Sequence, residues 1–185
     1  MGRFASFDDK VVYAALGREL AERGQATIGA IRDATGLSTG SLYHRFGSRE
    51  GLMAEAWLDI VAAFQARFHA ALRLDDREAG VEAALATPRF CREERDLALV
   101  LICGRPSEFL SDETSPELRG KLKKMNEQGR AALTAFAKRI DRPLLSCQLA
   151  LVGYPLGAVR LFLPKNRVPA ELDDQIRKVV EATLA

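Results

Sequence analysis

Apolar residues recur at helical spacing along the whole chain, and no convincing period-two alternation interrupts them. Val12, Leu16 and Leu20 form the first stripe. Asp8 precedes it as a helix cap, with Phe7 and Val12 placed to staple across it, and Gly24 follows as a stop. A second, shorter helix opens at Thr27, carries Ile28, Ile31 and Ala34, and closes at Gly36. A third opens at Ser38, turns Leu42 and Phe46 inward and closes at Gly47. Ser48 starts a longer helix, expected to reach about Leu72, with Leu52, Ala56, Ile60, Phe64 and Phe68 on one face.

A polar connector at Leu74–Arg77 leads to a short helix, Glu78–Ala86, expected to stop near Thr87–Pro88. Glu93–Cys103 reads as another apolar helix, broken at Gly104–Arg105–Pro106 and followed by the apolar pair Phe109–Leu110. Ser115–Pro116 is a cap with proline at the first helical position, and Leu118, Leu122, Met125, Leu133, Phe136 and Ile140 continue that helix. Pro143 opens a helix over Leu144–Leu163, which Pro164 stops. Pro169 opens the last helix, with Leu172, Ile176, Val179 and Val180 on one side. The expectation is an all-α protein. Residues 1–47 are expected to form a three-helix head with a helix–turn–helix, and residues 48–185 a second helical domain, joined by the helix over about 48–72.

Composition refines this picture only locally. Nearly half of the 185 residues are apolar and the formal net charge is +2, so the chain is expected to be globular. Arg3, Lys10, Arg18, Arg23, Arg32, Arg45 and Arg49 give the first 49 residues a small basic excess, which suits phosphate. The N-terminal MGRFASFDDK turns acidic where a secretory leader would be apolar, and no apolar run has the ~20 residues of a membrane span. Cys91, Cys103 and Cys147 are odd in number and widely spaced, without a CxxC or Cys/His cluster. Reduced thiols in a cytoplasmic protein follow, with no metal site or cofactor expected.

The chemistry concentrates in Thr27–Phe46. Leu42 and Phe46 anchor the second helix of this unit. Its remaining face is small or polar at the start (Thr39, Gly40, Ser41) and then carries Tyr43, His44 and Arg45. Small residues let a helix approach a groove floor, hydroxyls at Thr27 and Ser38 suit phosphates, and arginine pairs readily with guanine. Plainer roles stand beside these. Tyr43 serves equally to cap a core, His44 to face solvent, and Arg45 to pair with a surface carboxylate.

These residues resemble the TetR family of bacterial transcriptional regulators. The matching positions are Thr27–Ile28, Ile31, Ala34, Gly36–Leu37–Ser38, Gly40, Leu42–Tyr43, Phe46, Ser48–Arg49 and Leu52, and the resemblance covers roughly Asp8–Trp57. It implies a nine- or ten-helix protein that binds a palindromic operator in double-stranded DNA as a homodimer. Thr27, Tyr43 and Arg49 would grip phosphates, while Thr39, Gly40, Ser41 and His44 would lie in or beside the major groove. Gly29 and Arg45 depart from the family pattern and leave the operator sequence open.

The C-terminal pair of helices is the expected dimer surface, with candidates Leu149, Gly153, Leu156, Gly157, Leu172, Ile176 and Val180. Gly153 and Gly157 allow close approach, and Pro155 should loosen the helix between them. The competing role for Leu144–Leu163 is the central core helix of a monomer. A pocket for an unknown small-molecule effector would be lined by Phe64, Phe68, Leu97, Leu101, Met125, Phe136 and Tyr154, although each suits an ordinary core as well. The expected function is a ligand-released repressor. A non-inducible DNA-binding or protein-interaction module is the alternative. No nucleophile–histidine motif or glycine-rich phosphate loop points to an enzyme.

Overall fold

A computed structural model describes residues 7–74, 78–104 and 115–185. Among them every regular element is helical: α1 (Asp9–Arg23), α2 (Ile28–Thr35), α3 (Thr39–Phe46), α4 (Arg49–Leu72), α5 (Glu78–Glu93), α6 (Arg95–Cys103), α7 (Pro116–Arg139), α8 (Leu144–Gln148), a π-helical turn (Leu149–Gly153), α9 (Tyr154–Arg160) and α10 (Leu172–Leu184). Most of the connector expected at Leu74–Arg77, the Arg105–Pro106 break and the Phe109–Leu110 patch lie outside the described residues. The chain divides into two compact units, residues 1–60 with 95–120 and residues 61–94 with 121–185.

The first unit is built on caps. Asp8 accepts from Lys10 N, Thr27 from Ala30 N, Ser38 from Ser41 N and Ser48 from Gly51 N. Gly36 leaves α2 at φ 71°, which a side chain would resist, and so sets the turn into α3. Val12, Leu16, Ile31, Leu42 and Leu52 form the buried centre. Helix α6 lies directly on α1. A Cβ at Gly17 would stand 1.9 Å from the carbonyl oxygen of Asp96, so the two backbones meet at a distance only glycine permits. Arg18 reaches across the same joint to the Asp96 carboxylate.

The second unit is organised around α5, which is longer and more deeply buried than its sequence suggests. It runs through Pro88 instead of stopping there. Proline removes one backbone donor and normally breaks a helix interior at a cost of about 3 kcal/mol. Here Ala79, Val81, Ala83, Ala84, Leu85, Phe90 and Cys91 are all buried, and their packing holds the helix together. Gly80 lets Phe136 and Leu184 approach within 3.3 and 3.4 Å of where a Cβ would be. Arg92 donates to both oxygens of Asp173, at 2.9 and 2.7 Å, tying α5 to α10.

The long apolar segment after Pro143 is not one regular helix. It widens into the π-helical turn immediately before Pro155, which has no N–H to give and would otherwise leave an i−4 carbonyl without its donor. The last helix begins at Leu172 rather than at Pro169; Pro169 instead accepts from Leu172 N in the preceding turn. Among the described residues no helix is long and apolar enough to cross a membrane, and no three His, Cys, Asp or Glu side chains converge as a metal site.

Candidate nucleic-acid interface

Helices α2 and α3 form the helix–turn–helix of the first unit. Their inner faces, Ile28, Ile31, Leu42 and Phe46, are buried. Phe46 closes an aromatic group, with ring centroids 6.3 Å from Phe7 and 6.2 Å from Tyr13. Tyr13 in turn donates its hydroxyl to Asp59 on α4 at 3.0 Å. Burial, and after it the Asp59 carboxylate, push the Tyr13 phenol well above its usual range, so it stays a neutral donor. The apolar face of α3 is thus seated on α1 and α4.

What α3 turns outward is the polar set anticipated from the sequence. Gly40, Ser41, Tyr43 and His44 are exposed and Thr39 is half-buried; the Tyr43 side chain is 47% exposed, so it does not cap a core. Ser38 and Ser41 share a hydroxyl contact of 2.9 Å beside the helix start. Thr27, at the start of α2, is exposed. One of its lone pairs is taken by Ala30 N, which leaves the O–H as a donor toward an anion.

Two of the nine residues are held in ways the sequence did not settle. Arg45 is engaged on both sides: Nη1 donates to Glu55 at 2.8 Å and Nη2 to Asp9 at 2.6 Å, and its guanidinium lies 4.6 Å from the Phe46 ring centre. It takes the surface ion-pair role. Arg49 donates from Nε to the Ala26 carbonyl at 2.7 Å, so it braces the entry to α2 while its Nη1 meets Glu50 at 3.4 Å. The local basic excess is largely spent in such pairs, since Arg18, Arg23 and Arg32 also meet carboxylates.

The residues offered for a pocket separate. In the second unit Phe64 lies 6.1 Å from Phe68 and 5.8 Å from Phe90, centre to centre. Phe136 is buried and borders an open groove of about 510 Å³ with Gly80, Val180 and Leu184. Met125 is half-buried on α7. Leu97 and Leu101 belong to α6 of the first unit. Tyr154 is 40% exposed and faces outward, because Ala150, Leu151, Pro155, Ala158 and Val159 occupy the inner side of that segment.

The residues offered for a dimer surface separate too. Leu149 is exposed, together with Leu145, Val152 and Leu161, while Gly153 and Gly157 are exposed and Leu156 half-buried. Leu172, Ile176 and Val180 are instead buried in the chain's own core. They form the apolar face with which α10 packs on α5, and that face is not available to a partner.

Among the described residues the architecture is all-α, a capped helix–turn–helix near the start followed by a second helical unit. Residues 13–56 match the model for bacterial regulatory proteins of the tetR family. Among solved structures the chain is similar to the TetR-family regulator PfmR of Thermus thermophilus, with 23% identity, a TM-score of 0.75 and 94% of this chain against 96% of that one. It is similar as well to the fatty acid degradation regulator FadR of Bacillus halodurans, with 17% identity, a TM-score of 0.72 and coverage of 98% and 97%. The FadR of Bacillus subtilis, solved with stearoyl-CoA, matches at 16% identity and a TM-score of 0.66, with coverage of 95% and 97%. No curated protein matches the chain in sequence. Residues 13–56 thus resemble the DNA-binding head of that family, and the chain as a whole shares the fold of these TetR-family regulators.

Proposed function

We propose that this protein is a cytoplasmic transcriptional regulator that binds a palindromic operator as a homodimer, acts as a repressor and is released by a small molecule. The observation that carries the reading is the outward face of α3. Small and hydroxyl-bearing residues lead into Tyr43 and His44, on a helix whose other face is fully spent on packing. A helix so presented fits a major groove, with its first residues against base edges. Thr27 and Tyr43 supply phosphate donors, and Arg49 supports them by holding the α2 entry in place.

The dimer is supported by the exposed apolar stripe Leu145–Leu149–Val152, spaced four and three residues apart, with Leu145 64% and Leu149 57% exposed. Large aliphatic side chains gathered on one helical face mark an interaction surface. The effector is supported by the fold, since the similar FadR of Bacillus subtilis was solved with stearoyl-CoA. Release then follows when a ligand prefers a conformation whose two α3 helices no longer fit successive grooves, a coupling of about 1–3 kcal/mol.

The test is fluorescence anisotropy on the DNA upstream of the gene at fixed salt, with the unaltered protein and with Tyr43→Ala, each with and without a long-chain acyl-CoA. The unaltered protein should bind selectively and lose affinity as salt rises. Tyr43→Ala should bind every sequence more weakly without a change in melting temperature. Loss of folding in Tyr43→Ala would contradict its exposed placement, and binding indifferent to salt and sequence would contradict DNA recognition.

A further inference from the structure

The recognition helix carries one arginine, and its geometry is that of a brace. Arg45 leaves α3 between two carboxylates that come from two different helices, Asp9 of α1 and Glu55 of α4. Its guanidinium is laid against the ring of Phe46, the residue that anchors α3 from below. Contacts at 2.6 and 2.8 Å have the lengths of charge-assisted bonds. A planar fork with donors on both sides holds two carboxylates in fixed directions, which the freely rotating donors of an ammonium do not.

To reach a guanine or a phosphate, Arg45 would have to surrender both bonds. It would also leave Asp9 and Glu55 uncompensated next to the polyanion. Contact with DNA would therefore be opposed twice, by lost pairing and by repulsion from the abandoned carboxylates.

We propose that Arg45 is a positioning residue for DNA recognition. It fixes the pitch of α3 against α1 and α4, and so sets how Thr39, Ser41, Tyr43 and His44 meet the duplex without touching DNA itself. This rests on the DNA-binding reading above. The brace raises the fraction of molecules whose α3 is already at the docking angle. Apparent affinity scales with that fraction. Uncertain pitch also blurs base preference across the whole half-site, whereas losing a base contact blurs it at one position.

The experiment exploits a sign. A duplex is first enriched from a random-sequence pool with the unaltered full-length protein, and affinity for it is measured across a salt series. The paired variant Asp9→Ala with Glu55→Ala removes two negative charges near the DNA and frees Arg45. If Arg45 were a reader, or if charge alone mattered, this variant would bind as tightly or more tightly. A brace predicts roughly threefold to tenfold weaker binding in spite of the more favourable charge, the scale of two partly exposed ion pairs. Re-selection with the variant should then give a preference softened at all half-site positions.

Arg45→Met is the second variant. It keeps the apolar stem over Phe46 and stands in for the pair if that fails to fold. A brace predicts weaker binding with the same salt slope, while a direct phosphate contact predicts a slope lower by about one. Equal or tighter binding by the paired variant, or a slope reduced in Arg45→Met, overturns the proposal. Failure of the unaltered protein to enrich any duplex is a different result, and it overturns the DNA-binding reading itself.

Discussion

Replacing Gly17 with alanine tests the joint between α1 and α6 with a single methyl group. On an ordinary helix this substitution is favourable by about 0.5–1 kcal/mol, because alanine loses less backbone freedom on folding. At Gly17 the new Cβ would stand 1.9 Å from the Asp96 carbonyl oxygen, 3.0 Å from its carbon and 3.3 Å from Val100 Cγ2. The first obstacle is backbone and cannot swing aside as a side chain would. The helices must part by at least about 1 Å, which strains the Arg18–Asp96 pair and opens the packing of buried Leu97 and Val100. Overpacking of this kind costs about 1–3 kcal/mol, and a backbone clash belongs at the upper end, so the small gain in propensity is outweighed. For a chain of this size each kcal/mol moves the melting temperature by about 2–4 °C, giving an expected fall of about 4–10 °C. The assay is circular dichroism melting at one protein concentration. Gly120→Ala serves as control: that glycine lies within α7 with nothing within 4 Å of its would-be Cβ, and its variant should melt at or slightly above the unaltered protein. A Gly17→Ala protein that melts as high as Gly120→Ala would refute the close α1–α6 contact.

Asp173→Ala should destabilise the second unit by about 1–2 kcal/mol, since it breaks a two-point, half-buried pair with Arg92; a double-mutant cycle with Arg92→Ala in urea should show strong coupling between the two sites. His69 is held in its neutral form, first by burial and then by the Arg73 charge, and its Nε2 is buried without a hydrogen-bond partner. Its folded affinity for protons lies below the unfolded value, so stability should fall as pH drops below the ordinary imidazole range near 6.5, and His69→Gln should flatten the urea midpoint between about pH 7 and 5. Leu149→Glu places a charge in the exposed stripe of the π-helical turn; light scattering should report monomers at concentrations where the unaltered protein is dimeric, and a dimer that persists would remove that face from the interface.

The head was legible in the sequence because its information is local. Asp8, Thr27, Ser38 and Ser48 cap helices two or three residues away, and Gly36 turns the chain where it stands. What the sequence hid depends on partners far along the chain. Gly17 is an unremarkable helical residue until Asp96 arrives against it. Arg45 suits a base contact and a surface ion pair equally well until Asp9 and Glu55 are found on either side. α5 looked like a weak, proline-terminated helix because alanine signals little periodicity, yet small residues are what allow Phe136, Leu151 and Leu184 to close around it. The stripe Leu172–Ile176–Val180 was visible, but a stripe says only that a face is covered. Whether its own chain or a second copy covers it is a matter of tertiary packing, and here α5 does.

The central claim, that the outward face of α3 reads DNA in two symmetry-related copies, is tested most directly by selecting duplexes from a random pool with the unaltered full-length protein and sequencing what is retained. The account predicts an inverted repeat whose half-site centres lie about 10–10.5 base pairs apart, or a multiple of that spacing, with enrichment that weakens as salt is raised. Retention of duplexes with no common sequence, or of a single unrepeated half-site, would contradict it.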